Sequence, residues 1–544
     1  MIFETTITRR RIEDMAAQGL WQDQRLQDVF AAVASSDPDK TAVVDRTGRL
    51  SYGQLAAMAD DLALGLVDLG VRKGDVVTLQ LQNCNEFVAA MLAVERVGGV
   101  VNPIAPIFRQ REVAAMFRLA RPVVAIAPAE FRGFEHAAMM RELRAGTPSL
   151  RHVVSLGESP HADLTLDQLA STGRASSFAA DVLDLLAPDP NDVCELIFTS
   201  GTTGEPKGVM HTHNTLMAAT RAMIEAQGLG PGDVFHMAST FAHQTGYLFG
   251  ARMFAQAGGS GIYQDVWDPA EFVEICEREG VTMSCGATPF LTDLLRVADV
   301  DSRDLSRFRI FGCFGAPIPE AVLDEARKRL TVRVMPGWGM SEVNLVTTTR
   351  PVDPIDKVIS SDGRAMLGMA VQVVGDDGRE LPRGQEGDLL CRGCAEFAGY
   401  VQGRDFTESF YRDEGWFSTG DRARMDEDGF IRITGRTKDL IIRGGENVPV
   451  REIENVLLRH PAIRNVCLVG VPDDRLGEIG CACIVAEGEV PPSLGELRVF
   501  LEQEKVTRQF WPERIEILDE MPTTPSGKVQ KFKLREMLAA SSAE

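Results

Sequence analysis

One segment constrains this chain more than any other. Residues 195–213 read ELIFTSGTTGEPKGVMHTH. The run over 195–198 has strand character and opens directly into Thr199, Ser200, Gly201, Thr202, Thr203 and Gly204, with Lys207 and Gly208 shortly after. Glycines let backbone N–H groups turn toward one point, hydroxyls add donors, and the lysine adds charge. Together they make a cradle for a polyphosphate. The Walker pattern is not met, because Pro206 precedes Lys207 and Gly208 follows it. A bare Gly/Thr run would be an ordinary surface loop; the whole string, placed straight after an apolar strand, argues against that.

The first half of the chain repeats a layered logic. Residues 52–69 carry an amphipathic helical pattern stopped by Gly70, 75–81 read as a strand, 86–97 as a helix ended by Gly98, and 100–103 as a strand. From 193 to 334 the order is again strand, glycine-rich loop, helix, strand. Such alternation predicts an α/β fold with largely parallel sheets. His211 and His213 form an HxH pair with no carboxylate cluster nearby in sequence, so they read as the start of the helix after the loop. Beyond residue 375, GDDGRE, LPRGQEGD and MDEDGF are Asp/Gly turn signals between short alternating runs. After the Gly- and charge-dense stretch 435–447 comes a small α+β unit. Its helix over 450–459 is followed by strands over 466–471 and 481–486, a helix over 494–504, a strand over 514–518 and a final helix. At 544 residues the chain exceeds one core, since domains run to roughly 100–200 residues.

Charge and cysteine usage exclude several classes. The balance of 57 basic against 78 acidic residues gives −21, which argues against broad binding to nucleic acid or an anionic membrane. No run reaches the roughly 18 uncharged apolar residues of a spanning helix. The best, 87–101, is broken by Glu95 and Arg96, and no signal-peptide pattern follows Arg9, Arg10 and Arg11. Ten cysteines, several in apolar runs, fit buried thiols in a reducing cytoplasm, the expected location. Cys391 and Cys394 form one CxxC without a second pair, so neither a metal nor a redox role is expected of them.

With these motifs in view, the chain resembles the adenylate-forming enzymes: acyl-CoA synthetases, adenylation domains and beetle luciferases. SGTTGEPKGV is similar to their phosphate-loop signature, and further motifs follow in family order from SYGQL at Ser51 to GKVQK ending at Lys531. The resemblance implies a large N-terminal AMP-binding domain over 1–437, of layered β-sheets with helices plus a β-rich subdomain. It also implies a small mobile C-terminal α+β domain over 438–544. The ATP/AMP site would comprise Thr199, Ser200, Gly201, Thr202, Thr203 and Lys207, the adenine loop Gly315, Ala316 and Pro317, and Gly337, Trp338, Gly339, Met340 and Ser341 of GWGMSE. By that match Trp338 stacks near the adenine, Ser341 reaches the α-phosphate region, and Glu342 holds Mg²⁺, a hard cation that takes few carboxylates beside phosphate oxygens. Asp421 of GWFSTGD falls on the ribose hydroxyls, Arg436 on ribose or phosphate, and Lys438 on the hinge. Gly444 and Gly445 line the path of the CoA pantetheine arm. Lys528, in PTTPSGKVQK, matches the catalytic lysine. His243, in FAHQTGY, matches the residue between acyl and CoA pockets, with a core histidine as the alternative.

Phe241, Gly246, Phe290 and Phe314 fall on the family's acyl pocket, and Phe314 stands where the family has a glycine. The matching segments contain no Lys or Arg, so a second substrate carboxylate would lack a buried partner. A neutral apolar monocarboxylate in a short or ring-shaped cavity is expected. RGGENVPVREIEN and MPTTPSGKVQKFKLRE look most like bacterial cyclohexanecarboxylate–CoA ligases and related medium-chain acyl-CoA ligases. The implied reaction has two halves. The acid attacks the α-phosphorus of ATP and pyrophosphate leaves; then a thiol takes the acyl group and AMP leaves. After Lys528 the chain runs only to Glu544, with no room for a carrier domain, so the acceptor is expected on another molecule. CoA comes first and a separate carrier protein second. A homodimer is compatible with the resemblance. A non-catalytic nucleotide sensor is the contrasting class, and the joint presence of Lys207, Glu342, Asp421, Arg436 and Lys528 argues against it.

Overall fold

A computed structural model describes the chain except residues 1–2, 179–181, 201–205, 316, 317, 319, 331, 437–440, 444, 445, 474–476, 505, 507, 525, 526 and 542–544. Among the described residues, a nine-stranded sheet has parallel strands Arg333–Met340, Ile310–Phe314, Met283–Gly286, Val234–Met237, Ser260–Tyr263 and Thr41–Asp45 at its centre, with antiparallel strands at both edges. An eight-stranded sheet orders Gly399–Tyr400, Pro206–Thr212, Val193–Ser200, Val100–Pro103, Val76–Leu79, Val124–Pro128, His152–Leu156 and Leu164–Thr165. One contiguous core joins both sheets through the helices Tyr52–Asp68, Asn85–Arg96 and His213–Gln227. Val76–Leu79 and Val100–Pro103 are buried throughout, and their polar side chains are paired: Thr78 donates its hydroxyl to Asn102 Oδ1 at 2.9 Å, and Asn102 Nδ2 donates to the Leu196 carbonyl at 2.7 Å.

The predicted α/β class is the one observed, and element ends fall close to where the caps and glycines put them. Ser51 and Gln54 form a reciprocal capping box at the start of the helix Tyr52–Asp68. The predicted helix over 86–97 is Asn85–Arg96, buried along almost its whole length. Its Glu95 is fully buried and pairs with equally buried Arg252, with Gln27 donating at 2.9 Å and the Tyr247 hydroxyl at 3.3 Å.

One expectation needs correction. The glycine-rich loop leads into a second strand, Pro206–Thr212, which folds back on Val193–Ser200 as an antiparallel hairpin; the helix begins only at His213. His211 therefore belongs to a strand. The cause lies in the pairing of Pro206–Thr212 with Val193–Ser200 and in Thr212, whose hydroxyl caps the following helix and stops the strand there.

A four-stranded antiparallel sheet, Met369–Val374, Glu386–Gly393, Phe417–Met425 and Ile431–Arg436, forms the β-rich part. The C-terminal unit packs the long hairpin Ile463–Asp473 and Gly477–Ala486, with Arg514–Ile517 beside it, against the helices Val450–Leu457, Leu494–Gln503 and Lys531–Ser541. Its two strands run longer than predicted because Pro472 is tolerated near a strand end. The junction expected at 437/438 lies outside the described residues. All ten cysteines are buried free thiols, Cys391 and Cys394 included. No helix among the described residues is long and apolar enough to cross a membrane.

Candidate active site

The phosphate-loop hairpin ends beside the short strand Gly399–Tyr400. Residues Gly201, Thr202 and Thr203 lie outside the described residues, as do Ala316, Pro317, Lys438, Gly444, Gly445 and the side chain of Ser200. Thr199 pairs across the hairpin with Lys207. The Lys207 ammonium sits 4.1 Å from the ring centre of Phe410, 5.3 Å from Tyr400 and 5.8 Å from Phe406. Aromatic faces attract a cation, so these rings hold the lysine at the loop's exit. Gln402 pins the hairpin by donating to the Pro206 carbonyl at 2.9 Å and accepting from Gly208 N–H at 3.4 Å.

The motif at 337–342 spans the end of the strand Arg333–Met340 and the turn after it. Close approach explains its glycines. A methyl group at Gly339 would lie 2.1 Å from the Asn344 carbonyl oxygen, and one at Gly337 2.8 Å from that of Thr347. Met340 is half-buried before the turn. The Ser341 carbonyl accepts from His211 Nε2 at 2.7 Å, while His211 Nδ1 faces the Thr215 hydroxyl at 3.1 Å. Burial pushes His211 down to about 4, so it serves as a neutral strut. Glu342 is buried, and Tyr400 donates its hydroxyl to Glu342 Oε1 at 2.7 Å. Burial and then the Glu342 charge push the Tyr400 phenol far up, which keeps it a donor.

Asp421 and Arg436 are cross-strand neighbours in the antiparallel sheet. Asp421 Oδ1 accepts from Arg436 Nε and Oδ2 from Trp338 Nε1, both at 2.9 Å. The Trp338 indole edge is thereby fixed. Lys528 reaches in from the C-terminal unit. Its backbone closes a tight turn with Thr524, which donates to the Lys528 carbonyl at 2.7 Å. A methyl group at Gly315 would stand 3.0 Å from Lys528 Cε and 3.8 Å from Nζ, so the lysine stem lies close against it; the φ of +83° at Gly315 is what favours glycine there. Burial, then the Arg436 charge, push Lys528 down to about 8 against the pull of Asp421 and Glu342. His243 caps the short helix Gln244–Gly246, accepting from Thr245 N–H at Nδ1. Burial and then Lys528 push it down to about 3, so its imidazole is neutral.

Phe314 lies on the inward-facing side of its strand, where alternation also puts Ile310 and Gly312, while Phe311 and Cys313 face the opposite layer. Its ring fills the space left by Gly312 and Gly337 and meets Phe249 at 5.7 Å. Phe290 packs on Gly286 and on Trp267, whose ring centre is 4.9 Å away. Phe241 is fully buried between Phe87 and Tyr263, and a methyl at Gly246 would collide with the Thr240 carbonyl at 2.1 Å.

Sequence reasoning missed Tyr400, Phe406 and Phe410. The available signal was the aromatic density of FAGYVQGRDFTESFY in an otherwise polar, turn-rich region. It also missed Glu195, whose carboxyl burial pushes up to about 8. Gln244 donates to both Glu195, at 3.2 Å, and Asn344, at 2.8 Å, tying the phosphate-loop strand to the turn after Glu342.

Residues 30–401 match the AMP-binding enzyme family and residues 452–528 match the AMP-binding enzyme C-terminal domain. The chain is 34% identical over 534 residues to a medium-chain fatty-acid–CoA ligase of Escherichia coli, covering 97% of this chain and 93% of that enzyme. It is 30% identical over 531 residues to the vibriobactin-specific 2,3-dihydroxybenzoate-AMP ligase of Vibrio cholerae, covering 96% of each. Among solved structures, ATP-bound MatB from Rhodopseudomonas palustris superposes with a TM-score of 0.85 at 27% identity, over 94% of this chain and 99% of that one. The chain therefore belongs to the AMP-binding, adenylate-forming family of acyl-CoA and aryl acid ligases.

Proposed function

We propose that the chain is an ATP-dependent carboxylic acid–CoA ligase acting on a neutral, apolar monocarboxylic acid of alicyclic, aromatic or medium-chain type. The observation that carries this reading is the Lys528 ammonium lodged against Gly315, within the field of Asp421, Glu342 and Arg436. A carboxylate approaching a triphosphate meets like charge, and fixed cations that need no reorganisation lower that barrier. Lys528 would serve the attacking carboxylate and the α-phosphate, and Lys207 the leaving pyrophosphate. Asp421 would exchange its contacts with Trp338 and Arg436 for the ribose diol. Positioning supplies much of the remainder, because phosphoryl chemistry leaves a protein little covalent work.

A magnesium ion fits Glu342. The group is a buried hard-oxygen donor with one oxygen already fixed by Tyr400, and no cluster of three or more His, Cys, Asp or Glu side chains suited to an all-protein metal site occurs among the described residues. Mg²⁺ favours such a sparse set, keeping water and phosphate for its other ligands. When bound it would neutralise charge on the triphosphate.

For the second half-reaction, the CoA thiol attacks the acyl carbonyl and AMP departs with the bonding electron pair. Lys528 would withdraw as the small domain rotates about Lys438, and the Gly444–Gly445 loop would take its place. The neutral His243 beside Lys528 suits a passage through which a thiolate and an acyl group must meet. The apolar surroundings of Phe314, Phe249, Phe290 and Trp267 support an uncharged acyl group, cyclohexanecarboxylate among the candidates. The likeness to a 2,3-dihydroxybenzoate-AMP ligase favours a second reading, an adenylating enzyme that loads a separate carrier protein.

The test is acid-dependent pyrophosphate release, followed by AMP release with and without CoA, across alicyclic, benzoate-type and linear acids. CoA-stimulated AMP turnover with one acid class supports the ligase. Pyrophosphate release that CoA leaves unchanged supports the carrier-linked enzyme, and no release with any acid overturns both.

A further inference from the structure

The N-terminal arm, residues 3–21, precedes the segment that matches the family, which begins at residue 30. Its helix Arg9–Ala17 fully buries no residue, and Ile12 and Met15 rest half-buried on the core. The arm adds to this a row of hydrogen bonds to one loop, residues 393–398. Thr6 donates its N–H to the Ala398 carbonyl at 2.8 Å. Arg11 reaches three carbonyls of the loop, Glu396 at 2.9 Å, Gly393 at 3.3 Å and Phe397 at 3.4 Å. Its guanidinium lies 4.0 Å from the Glu396 carboxylate and over the Trp21 ring. Trp21, itself buried, donates its indole N–H to the Cys394 carbonyl at 2.9 Å.

The other side of the same loop holds Glu342. Phe397 N–H donates to the Glu342 carbonyl at 2.8 Å, and Asn344 Nδ2 donates to the Ala395 carbonyl at 2.8 Å. Three residues on, Tyr400 donates to the Glu342 carboxylate, with its ring 4.9 Å from Phe397. The loop is thus a spacer between the arm and the acidic side chain. The carbonyls of Gly393, Cys394, Glu396, Phe397 and Ala398 face the arm, while the Phe397 N–H and the Ala395 carbonyl face the turn that carries Glu342. The planar fork of arginine spreads its N–H groups in fixed directions, which suits carbonyls of three separate residues better than the compact ammonium of lysine.

We propose that Arg11 and Trp21 are positioning residues for the metal–nucleotide site, clasping loop 393–398 so that Glu342 and Tyr400 are already set before ATP arrives. This rests on the reading of Glu342 as the magnesium ligand. Partners behind a metal ligand tune its affinity, with losses of about 10-fold at the weak end when they are removed.

The test is calorimetric binding of a nonhydrolysable ATP analogue to the full chain over a magnesium series and in chelator, alongside thermal unfolding. Arg11→Ala should raise the magnesium concentration for half-maximal binding about 10-fold while leaving binding in chelator within about twofold. Arg11→Lys, one point charge against three carbonyls, should not restore it. Trp21→Phe keeps the ring and loses only the N–H, so it should shift the same midpoint about threefold and serves if Arg11→Ala does not fold. Glu342→Gln reports on the underlying reading. If it alters the magnesium midpoint while the arm variants do not, the clasp is wrong. If the arm variants weaken binding equally with and without magnesium, the arm is only structural and the proposal falls. A wild-type midpoint in Glu342→Gln overturns the reading of Glu342 and the proposal with it.

Discussion

The two walls of the nucleotide site are built in opposite ways. On the large-lobe wall, Glu342, Asp421, Trp338 and Tyr400 are held in hydrogen bonds of 2.7–2.9 Å. On the C-terminal wall, Lys528 meets the large lobe by van der Waals contact. Its stem crowds Gly315, and Gly527 lies 3.6–3.7 Å, measured from where its Cβ would be, from Pro289 and Ala287. Near the junction, Arg451 donates to the Ile433 carbonyl at 2.5 Å and pairs with Asp362 at 3.3 Å. The more distant pair Arg296–Glu487 is exposed on both sides, and such pairs contribute only about 0–1 kcal/mol. One wall is fixed by hydrogen bonds and the other rests on looser contacts at Lys528. In the proposed mechanism that difference lets the second wall withdraw between the two reactions.

The sharpest test removes the movable wall's charge. Lys528→Ala should slow pyrophosphate release by about 10²–10³-fold, the scale of one lost transition-state donor. Thioester formation from supplied acyl-adenylate should be largely spared. Equal loss in both assays would erase the distinction between the walls.

Next in size is the departure step. Lys438→Pro should hold back CoA acylation by about an order of magnitude while pyrophosphate release continues, since a fixed φ hinders rotation. A mutant with normal CoA acylation would show that the lysine wall need not rotate about this residue.

The fixed wall can be probed through Phe314. Phe314→Ala should shift kcat/KM toward longer or bulkier acids by about 10-fold and cost about 3–5 kcal/mol of stability by denaturant titration, as for a cavity beneath a buried ring. An unchanged acid preference would place the acyl group elsewhere.

The smallest effect is a pH limb. Lys528 sits at about 8, below its ordinary 10.5, because burial and Arg436 disfavour its charge. The protonated form is the one that helps an anion attack, so kcat/KM for adenylation should fall as pH rises through about 8. Thioester formation from supplied adenylate should lack that limb, and Lys528→Arg should abolish it in adenylation, because arginine keeps its proton. A limb shared by both half-reactions would assign it to the fixed wall.

Local rules made much of the fold legible. Ser51 and Gln54 announce one helix, and Gly70 and Gly98 end two. The hairpin after the phosphate loop was hidden because a short run such as 207–212 carries no periodicity of its own to separate a strand from a helix start, and only pairing with Val193–Ser200 decides between them. The partners of Glu342 and Lys207 were hidden for a different reason. Tyr400 is 58 residues from Glu342 in sequence, and no local pattern links a phenol to a carboxylate at that separation.

The order of residues alone determined the α/β class and marked the candidate phosphate cradle, since periodicity and motif spacing are properties of neighbours along the chain, and resemblance to the family then nominated Lys207, Glu342, Asp421, Arg436 and Lys528. Tertiary structure alone decided which groups face one another: a lysine against a glycine, an arginine of the first turn on a distant loop, a phenol on a buried acid. Those encounters depend on how sheets stack and turns close, and burial then sets the charge each group carries.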